Sequence, residues 1–90
     1  MAILMTGSEA KKLDVTPTFE ECYALIDCEM LETVTLSGGM VMLVDEDGLG
    51  KRSAFNEIAS EIATSGSGMT HFIVGKAILL SASEAQSVLN

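Results

Sequence analysis

Ninety residues suffice for one domain with a single modest core and exclude a second. Apolar residues make up 48% of the chain, with no tryptophan and 4% aromatics, so Ile, Leu, Val, Met and Ala must build that core. The net charge of −8 excludes simple nucleic-acid binding, because only Lys11, Lys12, Lys51, Arg52 and Lys76 could meet phosphates.

No apolar run is long enough to span a bilayer, and residues 1 to 5 are too few for the apolar region of a secretory signal. A soluble, cytoplasmic protein is expected. Cys22 and Cys28 form no Cys-x-x-Cys pair, and one at a helix face and the other past its end are poorly placed to bridge. Free thiols in a reducing compartment follow. Six methionines make the core adaptable.

In chain order, Ala2 to Met5 and Ala10 to Val15 flank the turn-forming cluster Thr6-Gly7-Ser8 and predict an N-terminal hairpin at a sheet edge. Pro17 ends the extended run. Thr18-Phe19-Glu20-Glu21 then has the form of a capping box, with acids where the helix dipole favours them. Phe19, Cys22, Tyr23 and Ile26 follow at helical spacing, predicting a helix over Phe19 to Ile26 that lies on the sheet.

Glu29 to Glu46 reads as the central hairpin, with Met30, Glu32, Val34 and Leu36 on one face of the first arm and Leu31, Thr33 and Thr35 on the other. The turn is Ser37-Gly38-Gly39, with glycines for left-handed backbone. The second arm, Met40 to Val44, is apolar at every position, so it predicts an inner strand covered on both faces.

The ending Asp45-Glu46-Asp47-Gly48-Leu49-Gly50 resembles three ligand loops and fits none. As a calcium loop it would place Leu43 and Ala54 where carboxylates are required. As a phosphate loop it would place Asp45 at the opening glycine and Arg52 at the hydroxyl after the lysine. As a dinucleotide fingerprint, Gly48-x-Gly50-x-x-Ser53 lacks its third glycine. A solvated turn is the remaining reading.

Phe55, Ile58, Ala59 and Ile62 predict a second helix over residues 54 to 64, with Ser53 as its cap. Lys51 and Arg52 just ahead of it could hold an anion. Thr64-Ser65-Gly66-Ser67-Gly68 has linker composition and reads as a mobile loop. His71, the sole histidine, supplies neither a triad nor a metal set. Phe72 to Leu80 is the expected last strand beside the central one, with Gly75 marking a bulge or close approach. Ser81-Ala82-Ser83-Glu84 repeats the capping signal and starts a short terminal helix through Ala85, Val88 and Leu89.

Leu31-Glu32-Thr33-Val34-Thr35-Leu36 with the Gly38-Gly39 turn, Val41 to Gly48, Asn56-Glu57-Ile58-Ala59 and Ile73-Val74-Gly75-Lys76-Ala77 resemble domain-of-unknown-function family 3846, over residues 15 to 80. The family's members tend to carry prolines just before the Asn-x-x-Ala segment. Here Arg52-Ser53-Ala54-Phe55 stands instead, so an extended loop is expected to become helical. The resemblance implies a small, non-secreted protein of phage or plasmid origin, with no established activity and no catalytic residues to transfer.

The expected fold is a single α+β domain over residues 1 to 90: an antiparallel or mixed sheet of four to five strands around the central hairpin, one packed helix and two shorter helical segments. A homo-oligomer is expected because so short a chain leaves a sheet face to be covered by helices or by another copy. The expected function is non-enzymatic binding of a host protein, in a role such as countering host defence, or of a small anion. Lys51, Arg52, Asn56, His71 and Lys76 are the candidate ligand residues, and no cofactor, metal or catalytic residue is assigned. The alternative is an acidic mimic of nucleic acid, with Glu29, Glu32, Asp45, Glu46 and Asp47 copying a phosphate row.

Overall fold

The computed structural model describes residues 1–51 and 53–90. Arg52, one of the expected ligand residues, lies outside them. The elements are β1 (Ile3–Met5), β2 (Ala10–Lys12), α1 (Phe19–Ile26), β3 (Leu31–Thr35), β4 (Val41–Asp45), α2 (Glu57–Ser67), β5 (Ala77–Leu80) and α3 (Ala82–Leu89). The strands form one five-stranded sheet, ordered β2-β1-β5-β4-β3. Every neighbouring pair is antiparallel, so the fold is α+β.

The two most apolar strands lie side by side, as their composition requires. Val41 pairs with Leu80 and Leu43 with Ile78. Alternation along β4 sends Met42 and Val44 towards Ala59 and Ala63 of α2. It sends Leu43 to the opposite face, where Ile78 and Leu80 meet Cys22 and Ile26 of α1 and Ala85 and Val88 of α3. Helices of the same chain therefore cover both faces of the sheet. The open face that suggested a second copy is absent.

Both predicted capping boxes form. Thr18 Oγ1 accepts from Glu21 N–H at 3.1 Å while the Glu21 carboxylate accepts from Thr18 N–H at 2.9 Å. Ser81 and Glu84 repeat the exchange at the start of α3. Glu84 also accepts from Thr16 Oγ1 at 3.0 Å, which ties α3 to the segment before α1. Desolvation opposes its charge, but the hydrogen bonds from Ser81 and Thr16 prevail and hold its carboxyl below the usual range. Cys22 and Cys28 are free thiols, both pushed up, first by burial. The glycines of the central turn adopt φ of 75° and 78°, the left-handed values for which they were read.

Three expectations are corrected. The second helix begins at Glu57, not at residue 54, because Asn56 and not Ser53 caps it: Asn56 Oδ1 accepts from Ala59 N–H at 3.0 Å. Residues 53 to 56 stay extended, since Asn56 N–H donates to Ile73 O at 2.9 Å and Gly75 N–H to Ala54 O at 2.8 Å. Second, Thr64 to Ser67 are the last turn of α2 and Gly68 is its left-handed cap, so the segment is not a mobile loop. Its small residues serve packing: a Cβ on Gly66 would come within 3.1 Å of Leu36, so glycine lets the helix settle on β3. Third, the last strand starts at Ala77. Gly75, at φ 83°, turns the chain there, and Val74 bridges Phe55 instead of extending β5.

Asn56 is fully buried and its amide also donates to Met5 O at 3.0 Å and Gly75 O at 2.8 Å. One side chain thus joins the end of β1, the turn before β5 and the start of α2. Asn56→Ala removes the cap and strips two carbonyls of their donor, and should cost about 2–4 kcal/mol in urea unfolding. Asn56→Asp keeps the cap but sets a buried carboxylate oxygen against the carbonyls of Met5 and Gly75, and should destabilise at least as much as Asn56→Ala.

Candidate functional site

The four described ligand candidates, Lys51, Asn56, His71 and Lys76, do not gather at one site. Lys51 leaves the turn after β4 and places its Nζ 2.8 Å from Asp45 Oδ2 and 3.1 Å from Asp27 O. Asp27 holds the left-handed position that ends α1, at φ 62°. Asp45 is buried, and its other oxygen accepts from Asp47 N–H at 2.9 Å. Lys51 therefore fastens the end of α1 to the end of β4. The hydrogen bond to Asp45 raises its pKa above the ordinary lysine value.

Lys51 and Lys76 line one cleft of about 450 Å³, but the carboxylates of Asp27 and Asp45 share it. Lys76 is exposed and pairs with no carboxylate among the described residues. Asn56 lies inside the protein, and His71 lies in a different groove. Among the described residues no three His, Cys, Asp or Glu side chains gather as a metal set. No helix there is long and apolar enough to cross a membrane.

The groove around His71 has more distinctive features. Ser60 and Thr64, one turn apart on α2, pin the following segment to the helix by its backbone. Ser60 Oγ accepts from Ile73 N–H at 2.8 Å, and Thr64 Oγ1 accepts from His71 N–H at 2.9 Å. With the main chain held inward, the side chain of Phe72 projects and is 63% exposed. The bridge between Phe55 and Val74 brings the second ring alongside. The two phenyl rings stack at 4.6 Å between centroids and 27° between planes.

Glu57 and Glu61, also one turn apart on α2, border the adjoining groove of about 510 Å³ with His71. Both are exposed and neither makes an ion pair among the described residues. A stacked aromatic pair left in solvent beside two unpaired carboxylates suits a cationic, partly apolar guest. Sequence periodicity assigned Phe55 to a helix core and Phe72 to a strand. Asn56 is as good a cap as Ser53, and a start there leaves Phe55 ahead of the helix, but local sequence does not rank the two.

Lys51 provides a test of the charge assignments. Its raised folded pKa means that its contribution is complete below the unfolded value of 10.5 and is lost as pH climbs through the higher folded value. Lys51→Met should lower the melting temperature at neutral pH. The gap to wild type should narrow in melts above pH 10.5.

The chain matches the family described as "Domain of unknown function (DUF3846)" over residues 1–89. No curated protein and no solved structure matches it. The match takes in the N-terminal hairpin and α3 as well as the strand and turn patterns of the middle. The chain therefore belongs to the DUF3846 family.

Proposed function

We propose that this protein acts by binding, without chemistry of its own, and that its partner is a protein presenting arginine or lysine to the Phe55–Phe72 face. The observation that carries this reading is the stacked, solvent-exposed phenyl pair beside Glu57 and Glu61. A guanidinium can lie on a phenyl face while its N–H groups reach a carboxylate, so rings and acids together select arginine over an apolar guest. The net charge of −8 draws a basic partner in from a distance. Given the phage or plasmid origin that the resemblance implies, we take the partner to be a host protein, with countering host defence as one such role.

A small anion is the weaker fit. Its cleft contains two carboxylates, and Lys51 is already engaged by Asp45 and Asp27. The mimicry of nucleic acid has one observation in its favour: Glu29, Glu46 and Asp47 line a separate cleft of about 320 Å³. It also calls for a basic partner, but through different residues.

Titration calorimetry with a short arginine-containing peptide distinguishes the two. The expected result is binding that weakens with salt and falls roughly tenfold or more in Phe55→Ala/Phe72→Ala, with little change in Glu29→Gln/Asp47→Asn. Loss confined to the Glu29 and Asp47 variant would favour mimicry. Binding that ignores both variants would remove the aromatic face as the site.

A further inference from the structure

The sheet has two open edges, and they differ. β2 is short, exposed throughout and carries Lys11 and Lys12, charges that discourage another strand from adding. β3 is longer and β-branched, with Glu32 as its single charge. Leu36 N–H donates to Met40 O at 2.9 Å and Glu46 N–H to Met30 O at 3.0 Å. The alternation of antiparallel pairs then puts Glu32 and Val34 in hydrogen bonding with β4. The backbone groups of Leu31, Thr33 and Thr35 point away from the sheet.

We infer that this edge pairs with β3 of a second copy of the chain, antiparallel about a two-fold axis at Thr33, making one continuous sheet. In that register Thr33 meets Thr33 of the second copy and Leu31 meets Thr35 of the second copy, so each outward N–H and C=O finds a partner. Glu32 falls opposite Val34 of the second copy. No strand position sets one carboxylate directly against another.

A second observation fits the same register. Met30, just before β3, is 58% exposed. Its pairing with Glu46 continues the alternation of the strand and gives it the parity of Val34 and Leu36, and it also borders the cleft of Asp45 and Asp47. Two-fold pairing places Met30 of the second copy opposite Leu36. There an open groove of about 430 Å³ runs between the hairpin and α2, lined by Leu36, Met40, Ile62 and Gly66 with Glu61 at its rim. The exposed thioether and the apolar groove come together twice, once on each side of the axis, which is the self-complementarity a two-fold interface requires. An unbranched methionine suits an irregular groove of this kind. The surface shares Glu61 with the aromatic face but not Phe55 or Phe72, and the variants at Thr33 and Met30 leave that face unaltered, so dimer formation and peptide binding can fail independently.

Sedimentation velocity of the full chain, from micromolar to millimolar concentration, tests the inference. The wild type should shift from one chain to two. The shift should grow with salt, because screening relieves the repulsion of two chains of charge −8. Thr33→Pro, which removes an outward N–H that makes no bond among the described residues, and Met30→Glu should each remain single while melting normally. Should either variant unfold, hydrogen exchange on the wild type decides: the amides of Leu31, Thr33 and Thr35 should slow as concentration rises. A single species at every concentration, a dimer indifferent to both folded variants, or exchange at those amides that ignores concentration would overturn it.

Discussion

The carboxamide of Asn56 is the interaction on which the rest of the structure depends. Its oxygen starts α2 and its nitrogen holds the carbonyls of Met5 and Gly75. These bonds are made where water cannot substitute, so each is held at the cost of an orphaned polar group if it is broken. From that point α2 leaves across one face of the sheet while the chain at Gly75 turns into β5. Without it, the helix, the inserted N-terminal strand and the central strand would have no common anchor.

The functional surfaces follow from where that anchor puts the chain. Because Asn56 opens the helix, Phe55 stays outside it and is free to stack on Phe72. Because Ser60 and Thr64 hold the return segment by its backbone, Phe72 faces solvent and His71 borders the groove. The hydroxyls position the face, and the rings and carboxylates give it its chemistry. With Gly66 flush against Leu36, the helix also walls the groove beside β3. One helix thus borders both the aromatic face and the free edge.

Electrostatics separates structural from available charge in the same way. Lys51 is one of few cations in an acidic chain, and a buried carboxylate and a helix-end carbonyl already satisfy it. A lysine before a helix reads in sequence as an anion site. Here it closes the end of α1, a role set by Asp45 and Asp27, and Asp27 lies far from it along the chain.

Periodicity and capping chemistry were enough to determine the α+β class, α1 and α3 with their boxes, the inner position of β4 beside β5, and the left-handed turn at Gly38 and Gly39. These are local properties: side chains three or four residues apart, or alternating along a strand, meet regardless of the remaining chain. Tertiary structure alone decided the start of α2, the break at Gly75, and the fate of Thr64 to Ser67. In each case a distant partner prevailed over local preference: Ile73 for Asn56, Ala54 for Gly75 and Leu36 for Gly66. The candidate site was illegible for the same reason. Phe55 and Phe72 meet only because two segments pair across the length of α2, and hydropathy alone places a phenylalanine in the core.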